Sequence, residues 1–258
     1  MTPSVVPNKN MIPILVYHQI DAAPPKGAAF RSLYVSPAAF ARQMALLKLL
    51  GYQGLSMAAL LPYLTGERRG KVVGITFDDG YLNNLQHALP VLQRHGFSAT
   101  CYAVSDLAGQ TNIWDAVHGM AQTPLMNAGE MRAWVAGGQD IGAHTRHHVH
   151  LNALDAAAAA DEMAGSKAVL ENLLQGPVHH FCYPYGEYQR AHVAMARDAG
   201  FATATTTQRG RCRVGDDLMQ LVRVPVLRAT TLPVFWMKLA TRYEDNKGPR
   251  PGHEGVLV

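Results

Sequence analysis

The chain has 258 residues, 48% of them hydrophobic and 16% charged, which excludes wholesale disorder and fibrous architectures and leaves ample material for a large core. Lys and Arg outnumber Asp and Glu by 23 to 19, a formal charge of +4 scattered along the chain, so no basic block marks a nucleic-acid surface. Three cysteines, Cys101, Cys182 and Cys212, lie far apart without a CxxC pair and read as buried thiols of a reducing compartment rather than a disulfide framework.

The N-terminal stretch has no basic region ahead of an apolar one. The apolar run Met11–Tyr17 is interrupted by Pro13 and stopped by His18, too short for a signal-peptide core or a membrane span. The expected location is the cytoplasm. Ile12–Tyr17 reads as a buried strand. Ser36-Pro37 predicts a helix start, with Phe40, Met44 and Leu47 on its apolar face and Gly51 at its end. Ser56 caps a short helix over Met57–Leu64. Lys71–Phe77 is the next strand and runs directly into Asp78-Asp79-Gly80. A helix over Asn84–His95 is closed by Gly96, and Phe97–Val104 is a strand. Ser105–Pro124 is long and irregular. Asn127–Gly137 reads as helix, Asp140–Ala143 as a very short strand, and Asp155–Gln175 as a long Ala-rich helix. Val178–Tyr183, Phe201–Thr206 and Leu221–Val226 are strands, and Tyr188–Ala199 and Thr231–Tyr243 are helices. The polar tail from Glu244 is expected to be loose, leaving a core of about 11–243.

Strands and helices thus alternate about seven times with no linker-like shift in composition and no internal repeat. The economical architecture is a single α/β domain closed as a barrel of parallel strands. An open doubly wound sheet is disfavoured because no GxGxxG follows the first strand.

In such barrels the working residues sit where strands end. The predicted exits carry Tyr17-His18, Asp78-Asp79-Gly80, His144-Thr145-Arg146-His147-His148 and Tyr183-Pro184-Tyr185-Gly186, and the last strand carries Arg223. His144 and His148 are four apart, which on a turn opening a helix puts both imidazoles on one side. Two His and one carboxylate are the usual set for a hydrolytic zinc with an open fourth position. Taken singly, an adjacent acid pair is ordinarily a solvated loop, and a four-spaced His pair arises easily among 12 His. The weight lies in their conjunction at strand exits. Thr145 stands where HExxH would have Glu, so a zincin protease is disfavoured. His87, His95, His118, His150, His179, His180, His192 and His253 are read as structural, and His147 as no ligand. Trp114, Trp134 and Tyr81 are the aromatic candidates for stacking on a substrate. Core packing is the better reading for Trp134, and Asn112-Ile113-Trp114-Asp115 for substrate contact.

Thr76-Phe77-Asp78-Asp79-Gly80, then His144-Thr145-Arg146-His147-His148, then Tyr183-Pro184-Tyr185-Gly186 resemble the polysaccharide deacetylase family, carbohydrate esterase family 4. The opening Pro13-Ile14-Leu15-Val16-Tyr17-His18 is similar to its poly-N-acetylglucosamine deacetylase subgroup. The resemblance spans about Pro13 to Val226 and implies a distorted (β/α)7 barrel. It also implies a metal-dependent hydrolase removing acetyl groups from N-acetylated sugars of a polysaccharide or glycolipid. By the same resemblance Asp79, His144 and His148 match the ligands of one divalent ion, zinc foremost with cobalt or nickel as alternatives. Asp78 matches the general base, and Tyr185 the residue whose backbone N–H helps hold the oxyanion. Two departures stand out. The family's arginine of the third motif falls at Cys182, and its late Leu-x-His has no counterpart, Leu221-Val222-Arg223 occupying that region. In the poly-N-acetylglucosamine subgroup the early Tyr-His supplies the acid instead, so the resemblance makes His18 the candidate acid, and Arg223 is the candidate to replace the missing arginine and orient Asp78. An amidase acting on a non-sugar C–N bond and a non-enzymatic carbohydrate-binding module of the same fold are the competing functions.

Overall fold

Seven parallel strands close into a barrel with helices around it. The computed structural model describes residues 11–247. The strands and helices are β1 (Ile14–Tyr17), α1 (Pro37–Leu49), β2 (Gln53–Leu55), α2 (Met57–Leu64), β3 (Val72–Phe77), α3 (Leu89–His95), β4 (Thr100–Ala103), α4 (Ala128–Ala136), β5 (Asp140–Ala143), α5 (Ala156–Leu174), β6 (His180–Cys182), α6 (Arg190–Asp198), β7 (Thr203–Arg209), β8 (Leu221–Pro225) and α7 (Leu232–Ala240). The barrel runs β1-β3-β4-β5-β6-β7-β8 and closes where Val224 of β8 pairs with Leu15 of β1. β2 pairs with the first half of β3, and β4 takes over along its second half.

Several helices begin where the sequence offers a side-chain acceptor. Ser36 accepts from the Ala39 N–H, Asp155 from the Ala158 N–H, and Asn127 with Glu130 forms a reciprocal capping box. Each such cap is worth about 1 kcal/mol. Phe40, Met44 and Leu47 of α1 are buried as their spacing predicts. Phe40 meets Tyr17 edge-on at 5.2 Å, and Phe77 meets Trp134 edge-on at 5.8 Å, so aromatic rings fill the layer between strands and helices.

Several expectations are corrected. Pro13 splits the first apolar run, leaving Met11–Ile12 to pair antiparallel with Cys212–Arg213. β2 has no periodic signal, being Gln-Gly-Leu. Gly54 is required there because a Cβ would lie 2.6 Å from Ile75 and 2.8 Å from Phe97. The expected helix over Asn84–His95 opens with a π turn across Asn84–Ala88 before α3. The segment from Glu244 is not loose at its start. Glu244 is fully buried, paired with Lys238 and Arg209, and Asp245 pairs with Arg211. Two cations on one buried carboxylate hold the chain against β7 and α7, an interaction that sequence polarity disguises. The rest of the expected tail, with His253, lies outside the described residues.

Among the described residues no helix is long and apolar enough to cross a membrane.

Candidate active site

The strand exits deliver their polar residues to one place. The Asp78 N–H donates to the Tyr17 carbonyl at 2.9 Å, joining the exits of β3 and β1. Arg223 reaches Asp78 from β8. Its Nη1 and Nη2 each donate to one Asp78 oxygen at 2.7 Å, and neither side chain is open to solvent. The same guanidinium donates to Thr76 Oγ1 and Cys182 Sγ at 3.1 Å and, through Nε, to the Thr206 carbonyl at 2.8 Å. That carbonyl is available because β7 and β8 slip register between Thr205 and Arg209. Burial pushes the Asp78 carboxyl up, but the Arg223 charge and its hydrogen bonds outweigh it and hold the group below its ordinary value.

Beside this pair, Asp79 Oδ1 lies 3.4 Å from His144 Nε2 and 3.3 Å from His148 Nε2, all three residues buried. Two ligand atoms on a tetrahedral zinc at about 2.0–2.1 Å stand about 3.3–3.4 Å apart, so both imidazoles stand from Asp79 at the spacing of zinc ligands. His144 Nδ1 is bonded to the Cys182 carbonyl at 2.8 Å, which directs Nε2 toward Asp79. A second donor group, Asp78 with His144 and Cys182, is equally close-set, but Arg223 holds both Asp78 oxygens and the Cys182 sulfur. A cation there would face the guanidinium. The Asp79 set is therefore the one that fits a divalent ion.

The local backbone is what makes this set possible. Six non-glycine residues among those described have left-handed φ, and four are here: Asp79 (74°), Thr145 (64°), His148 (57°) and Tyr185 (57°). Such conformations cost about 1–3 kcal/mol each and concentrate at functional sites. They correct the expectation that His144 and His148 share a turn opening a helix. The segment is an irregular loop in which Thr145 Oγ1 donates to the His144 carbonyl at 2.6 Å and accepts from the His148 N–H at 3.0 Å. Gly186, beside Tyr185, leaves no room for a side chain, since a Cβ would stand 1.8 Å from Thr207 Oγ1.

His18 sits at the β1 exit, half-buried, and its charge helps lower both the Asp78 and the Asp79 carboxyl. Its backbone is pinned by a residue that sequence reasoning missed. Asn84 donates to the His18 carbonyl at 2.8 Å and accepts from the Ile20 N–H at 3.3 Å. The π turn turns Asn84 inward, and no apolar periodicity announces it. The Tyr185 hydroxyl donates to the His148 carbonyl at 3.4 Å. Arg146 and His147 turn away to Asp106, Asp161 and Glu162. Trp134 is core, donating to the Asp140 carbonyl at 2.9 Å, and Tyr81 is fully buried against Tyr34, Met120 and Leu125. Trp114 lies on His148, ring centroids 4.4 Å apart and 18° from parallel. Asp115, also missed as a charge near the ligands, is pushed up to about 6 by burial and then by the neighbouring Asp79.

The polysaccharide deacetylase family model matches residues 65–204. YxkH of Bacillus subtilis, provisionally named a polysaccharide deacetylase, is 30% identical over 217 residues, 83% of this chain and 71% of YxkH. Among solved structures, the Streptococcus pyogenes deacetylase PplD in complex with acetate is 26% identical, with a TM-score of 0.78 over 89% of this chain and 98% of PplD. BC0361, a polysaccharide deacetylase from Bacillus cereus, is 29% identical, with a TM-score of 0.74 over 89% of this chain and 69% of BC0361. IcaB from Ammonifex degensii shares the fold at 24% identity, with a TM-score of 0.75 over 90% of this chain and 96% of IcaB.

Proposed function

The chain belongs to the polysaccharide deacetylase family, and from that premise we propose that it is a metal-dependent hydrolase removing acetyl groups from N-acetylated sugars of a polysaccharide or glycolipid. The observation that carries this reading is the spacing of Asp79, His144 and His148, which suits one divalent ion beside a buried, arginine-held carboxylate. Zinc is the foremost candidate, with cobalt or nickel as alternatives. When bound, such an ion supplies Lewis acidity and a water acidic enough to ionise near neutral pH.

The chain's own residues do the rest. Asp78, fixed by Arg223, takes a proton from the water that adds to the acetyl carbonyl carbon. The Tyr185 backbone N–H faces the negative charge that develops on the carbonyl oxygen. The C–N bond then breaks, and His18 gives the leaving amine its proton, so that the products are acetate and a free amine. A cytoplasmic location belongs to the same proposal and rests on the three unpaired buried thiols.

The test is acetate release from a panel of N-acetylated sugars, oligosaccharides and glycolipids set beside non-sugar amides. Acetate from the sugar substrates supports the reading. Turnover confined to the non-sugar amides would replace it with an amidase, and sugar binding without turnover on any member would replace it with a binding module.

A further inference from the structure

The two ligand imidazoles are held in different ways. His144 is fixed at its second nitrogen by the Cys182 carbonyl at 2.8 Å. His148 Nδ1 is fully buried and has no hydrogen-bond partner among the described residues. A ligand imidazole is ordinarily oriented through that second nitrogen, so something else must set the plane of the His148 ring. Two rings are in position. Trp114 covers one face, 18° from parallel at 4.4 Å, and Tyr185 meets the ring edge-on at 4.6 Å while its hydroxyl reaches the His148 carbonyl.

Trp114 is itself anchored. It also packs against the buried cluster of Tyr34, Tyr81, Met120 and Leu125, so the indole has that cluster on one side and the imidazole on another. Among the described residues its Nε1 and the Asn112 amide nitrogen are buried without a partner at hydrogen-bonding geometry, and the carboxylate beside both is Asp115. This arrangement uses the indole differently from a sugar-stacking platform, since one face is already spent on His148.

We propose that Trp114 is a positioning residue for the metal site, holding the His148 imidazole by ring stacking in place of the hydrogen bond that His144 has and His148 lacks. The inference rests on the reading of Asp79, His144 and His148 as metal ligands. In the left-handed backbone conformation of His148, rotation of the side chain would swing Nε2 away from Asp79. A flat partner over the ring restricts that rotation before any ion arrives, so its loss appears in metal affinity rather than only in turnover. Removing the groups that orient a metal ligand typically weakens metal binding by about 10–100-fold.

The experiment measures zinc affinity by competition with a chromophoric chelator in the wild type, Trp114→Phe, Trp114→Leu, Trp114→Ala and His148→Ala. Phe keeps an aromatic plane, and Leu keeps apolar bulk without one. Expected are wild-type affinity within about threefold for Phe, with Leu and Ala weaker by about 10–100-fold. Thermal unfolding of each chelator-treated variant identifies any that has lost its fold, and the Phe and Leu pair carries the test if Ala does not fold. Cobalt titration adds a spectroscopic reading. One equivalent should quench part of the tryptophan emission in the wild type, and the quench should be smaller in Trp114→Phe, which keeps only Trp134 and Trp236, although cobalt still binds. Folded Leu and Ala variants that hold zinc as tightly as the wild type overturn the positioning role alone. A wild type that takes up no stoichiometric metal, or a His148→Ala variant that binds as well, overturns the metal reading and this inference with it.

Discussion

Arg223 and Asp78 meet as a two-point fork, both contacts at 2.7 Å, with the arginine fully buried and all three of its nitrogens donating. A lysine in that place is a point charge and cannot hold both oxygens. Arg223→Lys should therefore fold but lose turnover by about tenfold or more, because the base is no longer fixed in direction. Arg223→Leu leaves a buried carboxylate unpaired and should cost about 3–5 kcal/mol in urea unfolding. A leucine variant as stable as wild type would remove Arg223 from this role.

Asp78→Asn keeps the size of the side chain and one acceptor for Arg223, and removes the acceptor for the water's proton. Turnover should fall by about 10²-fold or more while zinc binding by chelator competition stays close to wild type. Full activity in the variant would take the base assignment away from Asp78.

For His18, the informative comparison is between two leaving groups. An amide with a poor leaving amine needs a proton donor, and an activated acetate ester does not. His18→Ala should depress amide turnover far more than ester turnover. Equal losses on both substrates would place the damage in the fold or the metal site, and Asn84→Ala, which frees the His18 backbone, should show a weaker version of the same selective loss.

Asp140 gives a pH signature far from the chemistry. It opens β5, accepts from Thr100 Oγ1 at 2.9 Å and from the Ala58 N–H at the start of α2. Burial pushes its pKa up to about 6, above the ~3.9 of an unfolded chain. The folded state thus holds the proton more tightly. The stability this confers is complete below about pH 4, is lost as pH rises through about 6, and changes little beyond. Asp140→Asn removes the titration. Relative to wild type the variant should be better placed at pH 8 than at pH 4.5 by about 1–2 kcal/mol, less than the full two-unit shift because the side chain keeps 23% exposure. Urea unfolding at the two pH values reads this directly, and an unchanged gap would contradict it.

Much of the barrel was legible because its signals are local. Apolar runs, Ser and Asp caps and Gly stops mark most strands and helices, and the polar residues at strand exits converge as such folds require. What stayed hidden depends on long-range approach. β2 is three residues long and fits only because Gly54 lets Ile75 and Phe97 close in. Asn84 reaches His18 through a π turn, and Glu244 reads as tail until Lys238 and Arg209 are brought to it. In the site, the motif residues were visible, but the left-handed backbone at Asp79, Thr145, His148 and Tyr185 was not, since none is a glycine. Nor could spacing show that the Trp114 indole would spend a face on His148.

The central claim is that Asp79, His144 and His148 hold an ion on which deacetylation depends. The most direct test strips the protein with chelator and follows acetate release from N-acetylglucosamine oligomers as zinc is added back. The account predicts negligible release from the stripped protein, recovery that saturates near one zinc per chain, and no recovery in His148→Ala at the same zinc concentrations. Full acetate release from stripped protein, or equal recovery in His148→Ala, would contradict it.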